Sequence, residues 1–259
     1  MHLFLSVQAH YRNWISQHFE LSLAGRRLKK YRNQYKGKRC FIVANGPSLC
    51  ASDLDKLENN KEITFGMNRI YKVFKSTKWR PTFYVCEDEL IAKEQQIEIN
   101  AIESQAKFLP IELKWYHGIF IDNAKYFHIN YKSELAYPYS FSTEIDHQID
   151  CHGTVTFSCM QIAAYIGFEK IYLLGVDHNY QRIIDFEGNI VEDMSVQDYF
   201  CDSYDADIKD NVVHDMGNNT RAYLGAKNYC DENQDVTIYN ATRGGKLEVF
   251  ERVDFDSLF

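Results

Sequence analysis

Phe41-Ile-Val-Ala-Asn-Gly-Pro-Ser-Leu49 decides how this chain is read. A short apolar run stops at Asn45-Gly46-Pro47-Ser48, and a helix-like stretch with Leu54 and Leu57 follows over 52–58. A brief apolar run bounded by a turn is the pattern of a buried β-strand. Gly46 permits a tight turn or the close approach of a ligand, and Pro47 presets φ for the first turn of a helix. The turn then lies at the carboxyl end of a first strand. Open α/β sheets bind nucleotides at such ends, against free N–H groups. The stretch therefore points to a nucleotide or a nucleotide-activated ligand. A strand-to-helix turn that binds nothing gives the same pattern.

Working outward, 39–45 reads as the first strand, and 63–68 as the second, ending in another asparagine, Asn68. Pro81 introduces a third strand at 82–86, which runs into Glu87-Asp88-Glu89. A polar helix is expected over 90–106, with short strands at 107–111 and 126–129. Val155, Cys159, Met160, Ile162, Ala163 and Ile166 recur at helical spacing over 154–166, and Gly167 supplies the stop. The clearest central strand is 170–176, ending at Asp177. This alternation predicts an α/β fold, a mostly parallel sheet with helices on both faces.

Residues 178–220 break the pattern. They are rich in Asp and Tyr and hold no apolar periodicity, as expected of a lid or binding loop. A helix over 221–230 and a strand over 236–242 resume it, and an apolar and charged tail packs on the sheet. The expected organisation is a helical extension at 1–37 and one catalytic domain at 38–259.

Composition narrows the function. The 259 residues suffice for one large core, and the net charge of −7 argues against a general nucleic-acid binder. The 18 Tyr and 17 Phe suit planar ligands or sugars, and equally an aromatic core. Seven cysteines show no metal-binding spacing. Cys40, Cys86 and Cys159 read as buried thiols in a reducing, cytoplasmic compartment, with no zinc site. No apolar run is long enough to span a bilayer, and no signal-peptide pattern opens the chain. One asymmetry stands out. Arg26, Arg27, Lys29, Lys30, Arg32, Lys36, Lys38 and Arg39 occur with no acid among them, after an amphipathic stretch carrying Trp14, Ile15 and Phe19. Residues 1–39 fit an anionic membrane surface, at the inner face of a bacterial membrane; a helix packed on the domain or on a second subunit fits as well.

Ala44-Asn-Gly-Pro-Ser-Leu49, Gly66-Met-Asn-Arg69, Pro81-Thr-Phe-Tyr-Val-Cys-Glu-Asp88 and Gly167-Phe-Glu-Lys-Ile-Tyr-Leu-Leu-Gly-Val-Asp177 together show a resemblance. The set resembles the superfamily that joins bacterial lipooligosaccharide sialyltransferases, flagellin nonulosonate transferases and proteins like the archaeal 6-hydroxymethylpterin pyrophosphokinase. The ending Tyr239-Asn-Ala-Thr-Arg-Gly-Gly-Lys-Leu-Glu-Val-Phe250 looks closest to bacterial pterin-kinase-like relatives found with surface-polysaccharide genes. The resemblance implies a Rossmann-like nucleotide-binding fold, and relatives that are often oligomers. From the sialyltransferase branch it implies a CMP-sugar donor, a glycan or glycolipid acceptor and no metal. It carries donor contacts onto Asn45 and Asn68, with Gly46, Pro47 and Ser48 as the turn, and onto Thr154. The asparagine that follows strand three in that branch is absent here, where Cys86-Glu87-Asp88 stands.

The chemistry implied needs three kinds of group. Asn side chains hold a nucleotide with both donor and acceptor atoms. Tyrosine hydroxyls and backbone N–H groups stabilise a departing phosphate. The resemblance suggests Tyr180, shifted by one position, with Tyr199 or Tyr204 as a second. A base must take the acceptor proton, and histidine suits that task near neutrality. His214 occupies the late lid, where the resemblance places the base, and His178 is its rival. Asp177 can hold a ribose hydroxyl, orient the lid or cap a turn. Glu87, Asp88 and Glu89 can bind Mg²⁺ if the donor is a triphosphate, or simply open a solvated helix. Cys151-His152 reads as structural, and the loop of Arg243 to Lys246 can touch an anion. The leading reading is an inverting glycosyltransferase. The alternatives are a pyrophosphokinase that uses ATP with Mg²⁺ and a nucleotide-binding scaffold without catalysis.

Overall fold

The computed structural model describes residues 2–130, 139–201, 204 and 213–259, with side chains from His10 onward. Helices α1 (His2–Gln17) and α2 (Leu23–Leu28) come first. The next elements are β1 (Arg39–Val43), α3 (Ala51–Asn59), β2 (Thr64–Met67) and β3 (Phe83–Val85). After them come α4 (Glu89–Glu94), α5 (Gln96–Ala101), β4 (Ala106–Pro110), α6 (Ile111–His117) and β5 (Ala124–Phe127). The second half holds α7 (Val155–Ile166), β6 (Lys170–Leu174), β7 (Arg182–Ile184), β8 (Ile190–Glu192) and β9 (His214–Asp215). It closes with α8 (Met216–Asn233), β10 (Thr237–Asn240) and β11 (Glu251–Arg252).

Eight strands make one parallel sheet in the order β11-β10-β6-β1-β2-β3-β4-β5. Its central strands are apolar on both sides because helices cover both faces. Along β1, Cys40 and Ile42 enter a core with Phe157, Met160 and Ile162 of α7. Phe41 and Val43 enter the opposite core with Leu54 and Leu57 of α3 and Ile70. The α/β, Rossmann-like class expected from the sequence is the one observed.

The chain runs outward from β1 through β5, then returns to lay β6 on the other side of β1. Val43 is level with both Gly66 and Leu174, so the carboxyl ends of β1, β2 and β6 finish together. Crossovers diverge there, which opens a crevice at the topological switch point.

Several expected elements differ in detail. The helix expected over 90–106 is two, α4 and α5, broken at Gln95 (φ −114°, ψ 29°), and β4 has begun by Ala106. The lid is not structureless: β7 pairs antiparallel with β8 and parallel with β9. Part of it, residues 202, 203 and 205–212, lies outside the described residues. The last helix starts at Met216, five residues ahead of the expected start, because the Asp215 carboxylate caps the Asn218 N–H at 2.9 Å. The amino-terminal segment is anchored by Ile15, Phe19 and Leu28, all buried in the α7-side core. Asn33 N–H and Tyr35 N–H donate to the carbonyls of Tyr165 and Ile166, at the end of α7.

Candidate active site

A cleft of about 520 Å³ opens at the switch point. The ends of β1, β2, β3 and β6 form its floor, the first turns of α7 and α8 one wall, and the lid the other.

The turn after β1 is held tightly and is not an open cradle. Gly46 N–H donates to the Gly175 carbonyl (2.9 Å), and Ser48 N–H and Oγ donate to the Asp177 carboxylate (3.3 and 2.8 Å). A Cβ on Gly46 would lie 2.0 Å from Asp177 Oδ2, so only glycine fits beside that carboxylate. Burial raises the Asp177 pKa, against the Ser48 bonds that favour its ion. These contacts correct the expectation of free turn N–H groups facing phosphate: the groups are taken, and an anion already stands beside them. Pro47 and Ser48 brace the turn and do not line the cleft, whereas Asn45, Gly46 and Asp177 do.

The two asparagines face the floor. Asn45 Nδ2 donates to the Met67 carbonyl at 3.2 Å, which leaves Oδ1 buried with no partner among the described residues. Asn68 sits at φ +47°, a left-handed conformation that asparagine tolerates, and its Oδ1 is likewise buried and unmet. Tyr84 Oη donates to the Asn68 carbonyl at 2.7 Å and holds that conformation from behind.

Glu87 departs most from its sequence reading. Asp88 is the solvated helix cap, accepting from Ile91 N–H at 2.9 Å. The Glu87 carboxyl instead turns into the cleft, bonded to Ser158 and Cys151, and burial pushes its pKa up to about 7. Cys151 and His152, read from the sequence as a structural pair, line the cleft as well; His152 stacks on Tyr139 with centroids 4.0 Å apart.

Two helix N-termini converge on the wall. Thr154 caps α7, its Oγ1 accepting from Thr156 N–H at 3.3 Å, and Asp215 caps α8. Gly153 (φ +62°) lets them meet: a Cβ there would fall 2.7 Å from Asn219 Oδ1. Both positive dipole ends thus border one space, which favours an anion, although at α8 the Asp215 carboxylate already takes the Asn218 N–H.

The lid closes the cleft with aromatic rings. Tyr180 stacks on His214 (3.8 Å, 15°) and Tyr199 on Tyr204 (3.9 Å, 13°), so both tyrosines left open as a second phosphate ligand are present. Burial raises the Tyr180 pKa, so its hydroxyl stays a donor. Phe200 N–H bonds the Asn45 carbonyl at 3.0 Å, and the fully buried Arg69 donates to the Tyr204 carbonyl at 2.6 Å. Sequence reasoning passes over Arg69 because nothing local marks it as buried.

The histidines differ. His178 (φ +51°) bonds Thr220 Oγ1 through Nε2 at 3.0 Å, and burial lowers its pKa to about 4. His214 is also lowered by burial, against the pull of Asp198, and its Nε2 has no partner among the described residues. The loop of Arg243 to Lys246 does not deliver its arginine to the cleft. Arg243 pairs with Asp53 and with Asp256 (2.9 Å), and the Lys246 backbone N–H donates to the Asp177 carbonyl (2.7 Å).

Among the described residues no group of three or more His, Cys, Asp or Glu is arranged to hold a metal, and no helix is long and apolar enough to cross a membrane. A family model described as 6-hydroxymethylpterin diphosphokinase MptE-like matches residues 12–182. The chain belongs to the MptE-like family. This MptE-like chain is similar in fold to the MAf glycosyltransferase from Magnetospirillum magneticum AMB-1, with a TM-score of 0.55 and 15% identity. The match covers 91% of this chain and 38% of that one, so this chain spans well under half of that protein. No curated protein matches the sequence.

Proposed function

We propose that this MptE-like protein is an inverting glycosyltransferase that uses a nucleoside-monophosphate sugar, with CMP as the leaving nucleotide, to build a surface glycan. The observation that carries the reading is the charge of the cleft. Its described lining includes Glu87, Asp88, Asp177, Asp198 and Asp215 but no Lys or Arg. A triphosphate needs several cationic ligands and Mg²⁺. A single bridging phosphate is served by two helix N-termini and tyrosine hydroxyls. In the reaction an acceptor hydroxyl oxygen attacks the anomeric carbon. The bond from that carbon to the phosphate oxygen breaks, its electrons leave with the nucleotide, and the hydroxyl proton passes to His214 Nε2. Each ring keeps one nitrogen with no partner among the described residues, and His214 is the better base of the pair because burial lowers His178 to about 4, which leaves it too weakly basic.

The second reading is a pyrophosphokinase acting on a pterin-like alcohol, supported by the description of the family model. Magnesium would then come with the ATP, held by phosphate oxygens and at most one or two carboxylates. Thermal-shift measurements against CMP, CDP, UDP, GDP and ATP, with and without Mg²⁺, separate the two. Stabilisation by CMP without metal is expected. A shift confined to Mg-ATP would favour the kinase, and none with any nucleotide would leave a scaffold.

A further inference from the structure

Three acceptor oxygens converge on the floor of the cleft. Asn45 Oδ1, Asn68 Oδ1 and Glu87 Oε1 are each buried with no partner among the described residues, and all three residues line the same space. The Asn45 amide is not free to flip, because its nitrogen is committed to the Met67 carbonyl. A buried acceptor that lacks a donor is costly, so the three on this floor call for a ligand that brings hydrogen-bond donors to that end; a fourth, Asn219 Oδ1, stands apart on the α8 wall. No Lys or Arg among the described lining residues meets this demand.

We propose that Glu87 is a ligand-binding carboxylate, which accepts a hydrogen bond from a hydroxyl or amino group of the bound molecule beside Asn45 and Asn68. The assignment deepens the donor-site reading above and rests on it. It divides the cleft into two ends. Donors of the ligand are read by the three acceptors at the floor, and its phosphate by the N-termini of α7 and α8.

The division has a measurable consequence. The bond is stronger to the ionised carboxylate, which burial disfavours: Glu87 is half protonated near neutrality. The titratable groups around it oppose the charge or are neutral. Cys86 and Asp88 flank it on its own segment, Cys151 and Cys159 lie on the α7 side, and Glu112 of α6 stands behind Cys151. Burial keeps all three thiols protonated. His152, His178 and His214 line the same cleft. A donor on the ligand favours the ion and expels the proton, so binding tightens as pH rises through 7. A ligand phosphate set against Glu87 would act with the opposite sign.

The test is calorimetric titration of the full chain with CMP at pH 6, 7 and 8, in buffers of different ionisation heat. Wild type is compared with Glu87→Gln, which keeps the size of the side chain and removes the proton. The phosphate of CMP titrates near 6 in both proteins, and the difference between them isolates Glu87. Once the pH dependence of Glu87→Gln is subtracted, wild type should bind about tenfold tighter at pH 8 than at pH 6 and release about half a proton at pH 7. Glu87→Asp, with a shortened carboxylate, should keep the proton release at reduced affinity, provided its far-UV circular dichroism matches wild type. Equal slopes in wild type and Glu87→Gln, or a wild-type affinity that falls with pH relative to Glu87→Gln, would overturn the assignment while leaving the donor reading in place. Failure of CMP to bind either protein would remove the donor reading and this inference with it.

Discussion

Glu87, half-buried but with its Oε1 buried, and the buried His178 share one cleft and pull the stability of the fold in opposite directions as pH changes. The Glu87 pKa rises from 4.5 to about 7 on folding. The native state then holds the extra proton, so this group's contribution is largest below 4.5 and is lost as pH climbs to 7. His178 falls from 6.5 to about 4. Here the unfolded state holds the extra proton, and stability is lost as pH drops from 6.5 toward 4. Across 4.5–6.5 the two slopes largely cancel in wild type. Each shift corresponds to a ceiling of roughly 3 kcal/mol at 1.36 kcal/mol per pH unit. Glu87→Gln should therefore gain several degrees in Tm relative to wild type between pH 5 and 7.5, the gain growing with pH. His178→Gln should move the other way, with its relative advantage growing as pH falls. Melts followed by circular dichroism at four pH values decide it; parallel curves for all three proteins would mean that neither carboxyl nor imidazole is buried as described.

Among the elements, α8 and the turn after β1 show what a sequence reveals and what it conceals. β1, α7 and β6 are legible because their burial imposes a local pattern, apolar runs of strand length and a 3.6-residue period closed by Gly167. The start of α8 is not, because Met216-Gly-Asn-Asn-Thr220 offers the cleft a polar face and so carries no apolar period. Only the pair Asp215 and Asn218 marks the cap. The hairpin of β7 and β8 is exposed and short, and leaves equally little trace. Asn45 and Asn68 can be found because they end strands. Glu87 is easily misread because the same acidic triplet opens a solvated helix, and the long-range neighbours Cys151 and Ser158 are what bury it. Gly153 also escapes notice, although it governs how closely α7 and α8 approach. A methyl group there would meet Asn219 Oδ1 at 2.7 Å and the Asn218 carbonyl carbon at 3.0 Å, at a φ that only glycine adopts cheaply. Gly153→Ala should cost about 1–3 kcal/mol and, by parting the two N-termini, abolish the thermal shift given by CMP. A protein that melts lower but keeps the full ligand shift would show that the phosphate is held elsewhere.

At the scale of the molecule, the net charge of −7 hides a basic face at the amino-terminal end. Arg26, Arg27, Lys29 and Lys30 are exposed on α2 and the turn after it, beside exposed Trp14, Leu21 and Leu23. Arg32 is different, since Glu144 and Asp146 already pair with it at 3.0 and 3.3 Å. Four cations preceded by exposed apolar side chains match an anionic bilayer, each cation contributing about 1 kcal/mol near such a surface. Deleting the segment would not test this cleanly. Phe19 and Leu28 are fully buried, and removing each costs roughly 1.5–3 kcal/mol of burial, so a truncated chain would be damaged in its core. Replacing Arg26, Arg27, Lys29 and Lys30 by Gln leaves that core intact. The full chain should sediment with vesicles containing phosphatidylserine and much less with neutral ones, and about 0.5 M salt should release it. The fourfold substitution should lower the apparent affinity about a thousandfold at unchanged Tm, as four such contributions sum to about 4 kcal/mol. Equal sedimentation with anionic and neutral vesicles, or an affinity that survives the fourfold substitution, would assign this face to a protein neighbour.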